Sequence, residues 1–266
     1  MRIVLVFTLA ACSTTTAGWG QQSTPEAKVR DLLVKFRSSE EQERVTAFAA
    51  LRSDPANLKN PEVRAELVDL LDRENRYLDS QLKEAQEKGY PDKGDNEGWA
   101  EYYSDLLGTV DSFANWNDPR QACILADAAY NDDSEFAAEV VSHSKVTMPC
   151  LLRRSQSPIS MNRAATVPVL VQALAKSKRS VDPSTAHEVR RIILGALQDP
   201  DDGVRAFTVA AIASFGTEDM IPTLREIARF DPASEKTENG SQWFPIRESA
   251  AKAIAEIQQR ARPAAH

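Results

Sequence analysis

The sequence predicts an all-α protein, and three observations carry that prediction. From Pro25 onward apolar residues recur at helical spacings, and no run alternates apolar and polar residues for long enough to make a strand. Ala, Leu, Glu, Arg and Gln, all strong helix formers, are abundant. Short breaks punctuate the periodic stretches at Ser53-Asp54-Pro55, Asn60-Pro61, Asn117-Asp118-Pro119, Asp182-Pro183, Asp199-Pro200 and Asp231-Pro232. In such pairs the acid can cap a helix start, while Pro, lacking an N–H, suits the first turn. The breaks divide the chain into about a dozen helices.

Composition narrows the possible roles. The 266 residues are 42% hydrophobic and 27% charged, which argues against disorder as the overall state. Three Cys are too few for a disulfide-dense scaffold or a zinc ribbon. A formal net charge of −7 and a pI near 5.2 argue against a nucleic-acid binder.

The N-terminus has its own logic. Arg2 precedes an apolar run from Ile3 to Ala11, too short for a bilayer-spanning helix, which needs ~20 residues. Charge, apolar run and then small residues is the pattern of a signal peptide, placed at 1–11. Leu9-Ala10-Ala11-Cys12 resembles the bacterial lipoprotein lipobox. The resemblance implies that Cys12 becomes a lipidated N-terminus and anchors the chain in the bacterial cell envelope, on the periplasmic side. Several acyl chains would hold it stably where one would not. An ordinary secretory signal, cut after Ala17 and releasing a soluble secreted or periplasmic protein, is the competing reading. Residues 12–24 are polar and Thr-rich and read as a flexible tether, with Trp19 solvated or resting at the bilayer interface.

Residues 199–232 carry an internal pattern. One helix is predicted over Val204–Phe215, with Val204, Phe207, Ala211, Ile212 and Phe215 inward and Gly216 ending it. A second is predicted over Asp219–Phe230, with Ile221, Leu224, Ile227 and Ala228 inward. An aliphatic residue followed by Arg recurs at Val29-Arg30, Val63-Arg64, Val189-Arg190, Val204-Arg205 and Ile246-Arg247. Val204 and Ile246 stand 42 residues apart, and Val29 and Val63 stand 34 apart. Asp199-Pro200, Val204-Arg205, Ala210-Ala211-Ile212, Phe215-Gly216 and Ile221-Pro222-Thr223-Leu224 together resemble a HEAT or HEAT-like repeat. The match is good over about 185–258, fair over 27–72 and weak between. The resemblance implies an α-solenoid of about five or six stacked antiparallel helix pairs over 25–260, with 261–266 as a C-terminal tail. A two-helix unit cannot bury both apolar faces alone, so its neighbours complete the core. The Arg of the Val-Arg step can reach an acid of a neighbouring loop, Asp199 or Asp231. An ordinary helical bundle is the alternative.

Two stretches interrupt the rhythm. Residues 84–98 read as a surface loop, with Gly89, Pro91, Gly94 and Gly98 among charges. Residues 232–244 read as an insertion whose Asn239-Gly240 suits a tight turn. Trp243-Phe244 at its end reads as a lid over the open end of the array, or else as an exposed anchor. Charge is also uneven. Residues 92–140 hold 12 acids against Lys93 and Arg120, and residues 145–191 hold nine bases against Asp182 and Glu188. Either this makes a dipolar molecule or, the favoured reading, the two sets are solvated faces that partly pair. Arg153, Arg154, Lys176, Lys178, Arg179 and Trp243 form the candidate interaction surface.

Catalytic patterns are scarce. His143, His187 and the terminal His266 are too scattered for a zinc site. No phosphate loop, dinucleotide fingerprint or nucleophile elbow occurs. Ser142-x-x-Lys145 and Ser160-x-Asn162 echo penicillin-recognising enzymes, but the Lys-Thr/Ser-Gly element and the strands around it are missing. Cys123 and Cys150 read as a disulfide pair, with two buried thiols as the alternative. No catalytic residue, cofactor or metal is therefore expected. The reading is a non-enzymatic scaffold that binds an unidentified protein or peptide, with no nucleic-acid partner. A HEAT-like enzyme of lyase type and a self-assembling structural lipoprotein are the alternatives.

Overall fold

A computed structural model describes residues 24–89, 97–128, 134–176 and 182–262. Among them run twelve α-helices: α1 (Pro25–Phe36), α2 (Glu41–Ser53), α3 (Pro61–Lys88), α4 (Glu97–Asp111), α5 (Pro119–Asp127), α6 (Ser134–Ser142), α7 (Ser144–Arg154), α8 (Ser160–Lys176), α9 (Pro183–Ala196), α10 (Asp202–Phe215), α11 (Ile221–Phe230) and α12 (Pro245–Ala261). Short 3-10 turns, Pro55–Lys59 and Glu218–Met220, precede α3 and α11. The protein is all-α apart from one two-residue strand pair, β1 (Glu235–Lys236) and β2 (Gln242–Trp243), antiparallel with Glu235 opposite Trp243.

The break residues act as the sequence predicts at several helix starts. The Asp118 carboxylate accepts from the N–H groups of Arg120 and Gln121, and Asp182 accepts from those of Ser184 and Thr185, each followed by a first-turn Pro. Asn60 caps α3 through Glu62, and Asp201 caps α10 through Val204. Asp199 and Asp231 behave differently. They cap no helix, and each receives an Arg from the preceding turn of the architecture.

The C-terminal helices pack in a regular order. α8 lies against α10 and α10 against α12, while α9 packs on α8 and α11 on α12. In the N-terminal half α1 packs on α2 and α3, α3 on α4 and α5, and α5 on α7. Fully enclosed Phe36, Leu67, Leu71, Leu106, Leu125, Leu170, Ile193 and Ile212 belong to one apolar core that extends through both halves. Such burial is the main favourable contribution to folding.

Several sequence expectations are corrected. In α10, Phe207 is 49% and Phe215 37% exposed, not inward; Arg205, Thr208 and Val209 take buried positions instead. An Arg with a buried partner can occupy a core-facing position, so an apolar-only count turns the helix the wrong way. Residues 84–88 are the last turn of α3 rather than loop, and Gly98 lies inside α4. α7 begins at Ser144, so Pro149 sits inside it and Cys150 does not start a helix. The 232–244 insertion closes as a hairpin: Gly240 has φ +81°, and its N–H donates to Thr237 O. Left-handed backbone there favours Gly. Gly216 is required for another reason. Its backbone is extended, not left-handed, and an added Cβ would lie 2.5 Å from Ile212 O.

Candidate interaction surface

The candidate surface residues do not form one set. Arg153 is exposed and its Nη2 lies 3.3 Å from Asp127. Arg154 is only 8% exposed, and this overturns its place on a docking face. Its guanidinium donates to Asn162 Oδ1 at 3.0 Å and to Asp79 at 3.4 Å, and it faces Asp127. Asn162 in turn donates to Asp79 at 2.9 Å. A long side chain on the inward side of α7 can remain charged only by engaging such partners. Lys176 ends the described part of α8 and is exposed. Lys178 and Arg179 lie outside the described residues, as do Cys12, Trp19 and His266.

Trp243 is exposed at 38% on β2 and does not cover the core. The adjacent Phe244 is half-buried beneath Arg247, whose guanidinium carbon stands 3.8 Å from its ring centre. The hairpin therefore presents Trp243 outward while the cation–π contact holds Phe244 inward.

The basic stretch is substantially neutralised within the chain. Arg163 pairs bidentately with Asp199, Arg190 with Asp219 and Arg191 with Glu188, besides Arg153 and Arg154 with Asp127. Burial pushes Asp127 above the usual carboxylate range, with Arg154 and Arg153 pulling it back. The pairing favours the solvated-face reading of the charge asymmetry over a strongly dipolar one.

A second polar cluster is enclosed between α2, α3 and α4. Glu74, fully buried, accepts from Arg44 Nε at 2.7 Å, Tyr102 OH at 3.2 Å and Trp99 Nε1 at 3.2 Å. Tyr103 OH donates to Asn75 Oδ1 at 2.5 Å, and Asn75 Nδ2 donates to Ile124 O. Burial, then Glu74, raises Tyr102 well beyond the ordinary phenol range, so its hydroxyl remains a proton donor. Every carboxylate oxygen of Glu74 is engaged, which suits a structural tie rather than a general base. No sequence motif pointed to this cluster. Its members are scattered from 44 to 124, and only the packing of α3 against α2, α4 and α5 unites them.

The Ser-x-x-Lys echo dissolves on inspection. The Ser142 hydroxyl donates to Glu139 O at 2.8 Å at the end of α6, whereas Lys145 points to solvent from α7. A depression of about 400 Å³ between α1 and the start of α3 is lined by Glu26, Val29, Arg30, Leu33, Asn60 and Glu62. It brings together no nucleophile with a base. Among the described residues no group of three His, Cys, Asp or Glu could hold a metal ion, and no helix is long and apolar enough to cross a membrane.

Cys123 on α5 and Cys150 on α7 have Cα atoms 5.5 Å apart and sulfurs at disulfide distance. The same two helices are tied by Asp127 to Arg153 and Arg154. The sequence matches no protein-family model and no curated protein.

Proposed function

We propose that the chain is a non-enzymatic binding scaffold, built as a HEAT-like α-solenoid and held on the periplasmic side of a bacterial membrane through Cys12. One observation carries the solenoid reading. Arg163, Arg205 and Arg247 stand at a constant spacing of 42 residues on α8, α10 and α12. Each turns back onto the loop before its own helix or the helix before it. Arg163 Nη1 donates to Ser157 O and Pro158 O, Arg205 Nη1 to Asp199 O and Pro200 O, and Arg247 Nε to Asp231 O. Thr166 and Thr208, also 42 apart, each bond the carbonyl four residues earlier. Equivalent side chains making equivalent bonds on successive helices is what a translational repeat requires.

The scaffold reading follows from what such stacks offer, namely long helical surfaces that need no catalytic group. The envelope location rests on the lipobox-like residues alone. Cross-linking of the full chain in its native membrane, read by mass spectrometry, tests both. Recurrent cross-links from α8–α12 to a defined protein are expected. Substrate turnover by the purified chain, or cross-links only between its own copies, would displace the scaffold reading.

A further inference from the structure

Helices α8 and α10 lack charge over long stretches, although 27% of the chain is charged. Ala164 to Ala175 and Ala206 to Phe215 contain no Asp, Glu, Lys or Arg. Part of this is core, but part is not. Phe207, Ala210 and Ser214 form an exposed stripe along α10 at helical spacing. Forty-two residues earlier, Ala165, Pro168 and Gln172 are the half-exposed residues of α8. The buried positions of the two helices match in the same register, as Thr166 with Thr208, Val167 with Val209 and Leu170 with Ile212. The two stripes therefore lie side by side on one face. On α12 the equivalent positions are Ser249, Lys252 and Glu256, so charge closes that side. On the other side α6 packs on α8 and brings half-exposed Glu139. An apolar centre within a charged rim is the layout of a docking site.

We infer that this α8–α10 face, centred on Phe207, receives the apolar side of a short amphipathic helix from a partner protein. The inference rests on the scaffold reading and specifies its binding face. The size of the face decides the occupant. Two helices about 10 Å apart and about 20 Å long offer on the order of 400 Å² between them. Paired with itself that totals about 800 Å², below the roughly 1,200 Å² of a stable dimer, whereas one helix laid in register needs no more. The absence of charge in the stripe selects an apolar counter-face rather than an acidic or basic peptide.

The test uses the full chain and a displayed library of helical peptides, some with apolar residues at i, i+3, i+4 and i+7 and some uniformly polar. Selection of the amphipathic class is expected, with binding weakened at least tenfold by Phe207→Glu and by Ala210→Glu. Both residues are exposed, so melting temperatures should stay near wild type, and Phe215→Ser should leave binding intact. Binders indifferent to both Glu variants would overturn this face while leaving the scaffold reading standing. Failure to select any peptide would overturn both. Self-association abolished by Phe207→Glu would assign the face to a second copy and overturn the peptide assignment.

Discussion

Arg205 and Asp231 form a bidentate ion pair inside the protein, with Nε to Oδ2 at 2.7 Å and Nη2 to Oδ1 at 3.2 Å. Both side chains are almost fully enclosed, at 8% and 1% exposure. The Arg belongs to α10 and the Asp to the loop between α11 and α12, so the pair joins successive layers. Asp231 also accepts from Ala233 N–H, and its carbonyl accepts from Arg247. Arg163 and Asp199 repeat the geometry one step earlier, at 2.8 Å for each bond.

Breaking the Arg205 pair should be severe. Arg205→Met strands a buried carboxylate, and a loss of about 3–5 kcal/mol in urea unfolding is expected. Arg205→Lys should recover little of it, because an ammonium cannot reproduce the two-pronged contact. Adding Asp231→Asn to Arg205→Met should restore part of the loss by removing the stranded charge. If Arg205→Met unfolds like wild type, the pair is not what joins these layers.

The Arg163–Asp199 pair makes a pH prediction. Burial alone would raise Asp199, but hydrogen bonds from Arg163 and the Asp201 N–H outweigh it and hold the carboxylate below its usual range. The folded state therefore binds this proton less readily than the unfolded chain. Its contribution is present above the ordinary aspartate range and is lost as pH falls through the lower folded value. Unfolding free energies measured from pH 7 to pH 3 should decline more steeply for wild type than for Asp199→Asn. Parallel curves would contradict the assignment.

Neighbouring arginines should differ sharply. Arg154→Met removes a buried donor from Asp79, Asn162 and Asp127 and is expected to cost about 3 kcal/mol or more. Arg153→Met touches an exposed pair and should cost less than about 1 kcal/mol. Thermal melts of the two variants, compared side by side, decide this; equal losses would count against the burial difference.

The Cys123–Cys150 link should close a loop spanning a sequence separation of 27 residues. Replacing both by Ser is expected to cost about 3 kcal/mol by the chain-entropy account. Non-reducing peptide mapping checks the bond itself. Quantitative alkylation of both thiols in unreduced, denatured protein would refute it.

Membrane attachment has a separate test. Cys12→Ser should move the protein from the membrane pellet to the soluble fraction after cell lysis. Unchanged pelleting in carbonate wash would remove the lipid anchor from the proposal.

Helix content, most capping residues and the Val-Arg rhythm were legible in the sequence because they depend on spacing within a few residues. Asp118, Asp182 and Asn60 serve the N–H groups next to them, and α11 buries Ile221, Leu224 and Ile227 as its period requires. Asp199 and Asp231 were named as receptors for Arg from pattern alone, while Arg163 escaped notice because Asn162 stands where Val204 and Ile246 carry the aliphatic signal. What local spacing could not decide was which face of α10 is inward. That depends on whether a charged residue finds a buried counter-charge 26 positions away, and only the packed layers supply it. The same holds for the Glu74 cluster and for Arg154. Each is a charge that the chain alone would assign to water, and each is kept inside because partners distant in sequence converge to replace that water.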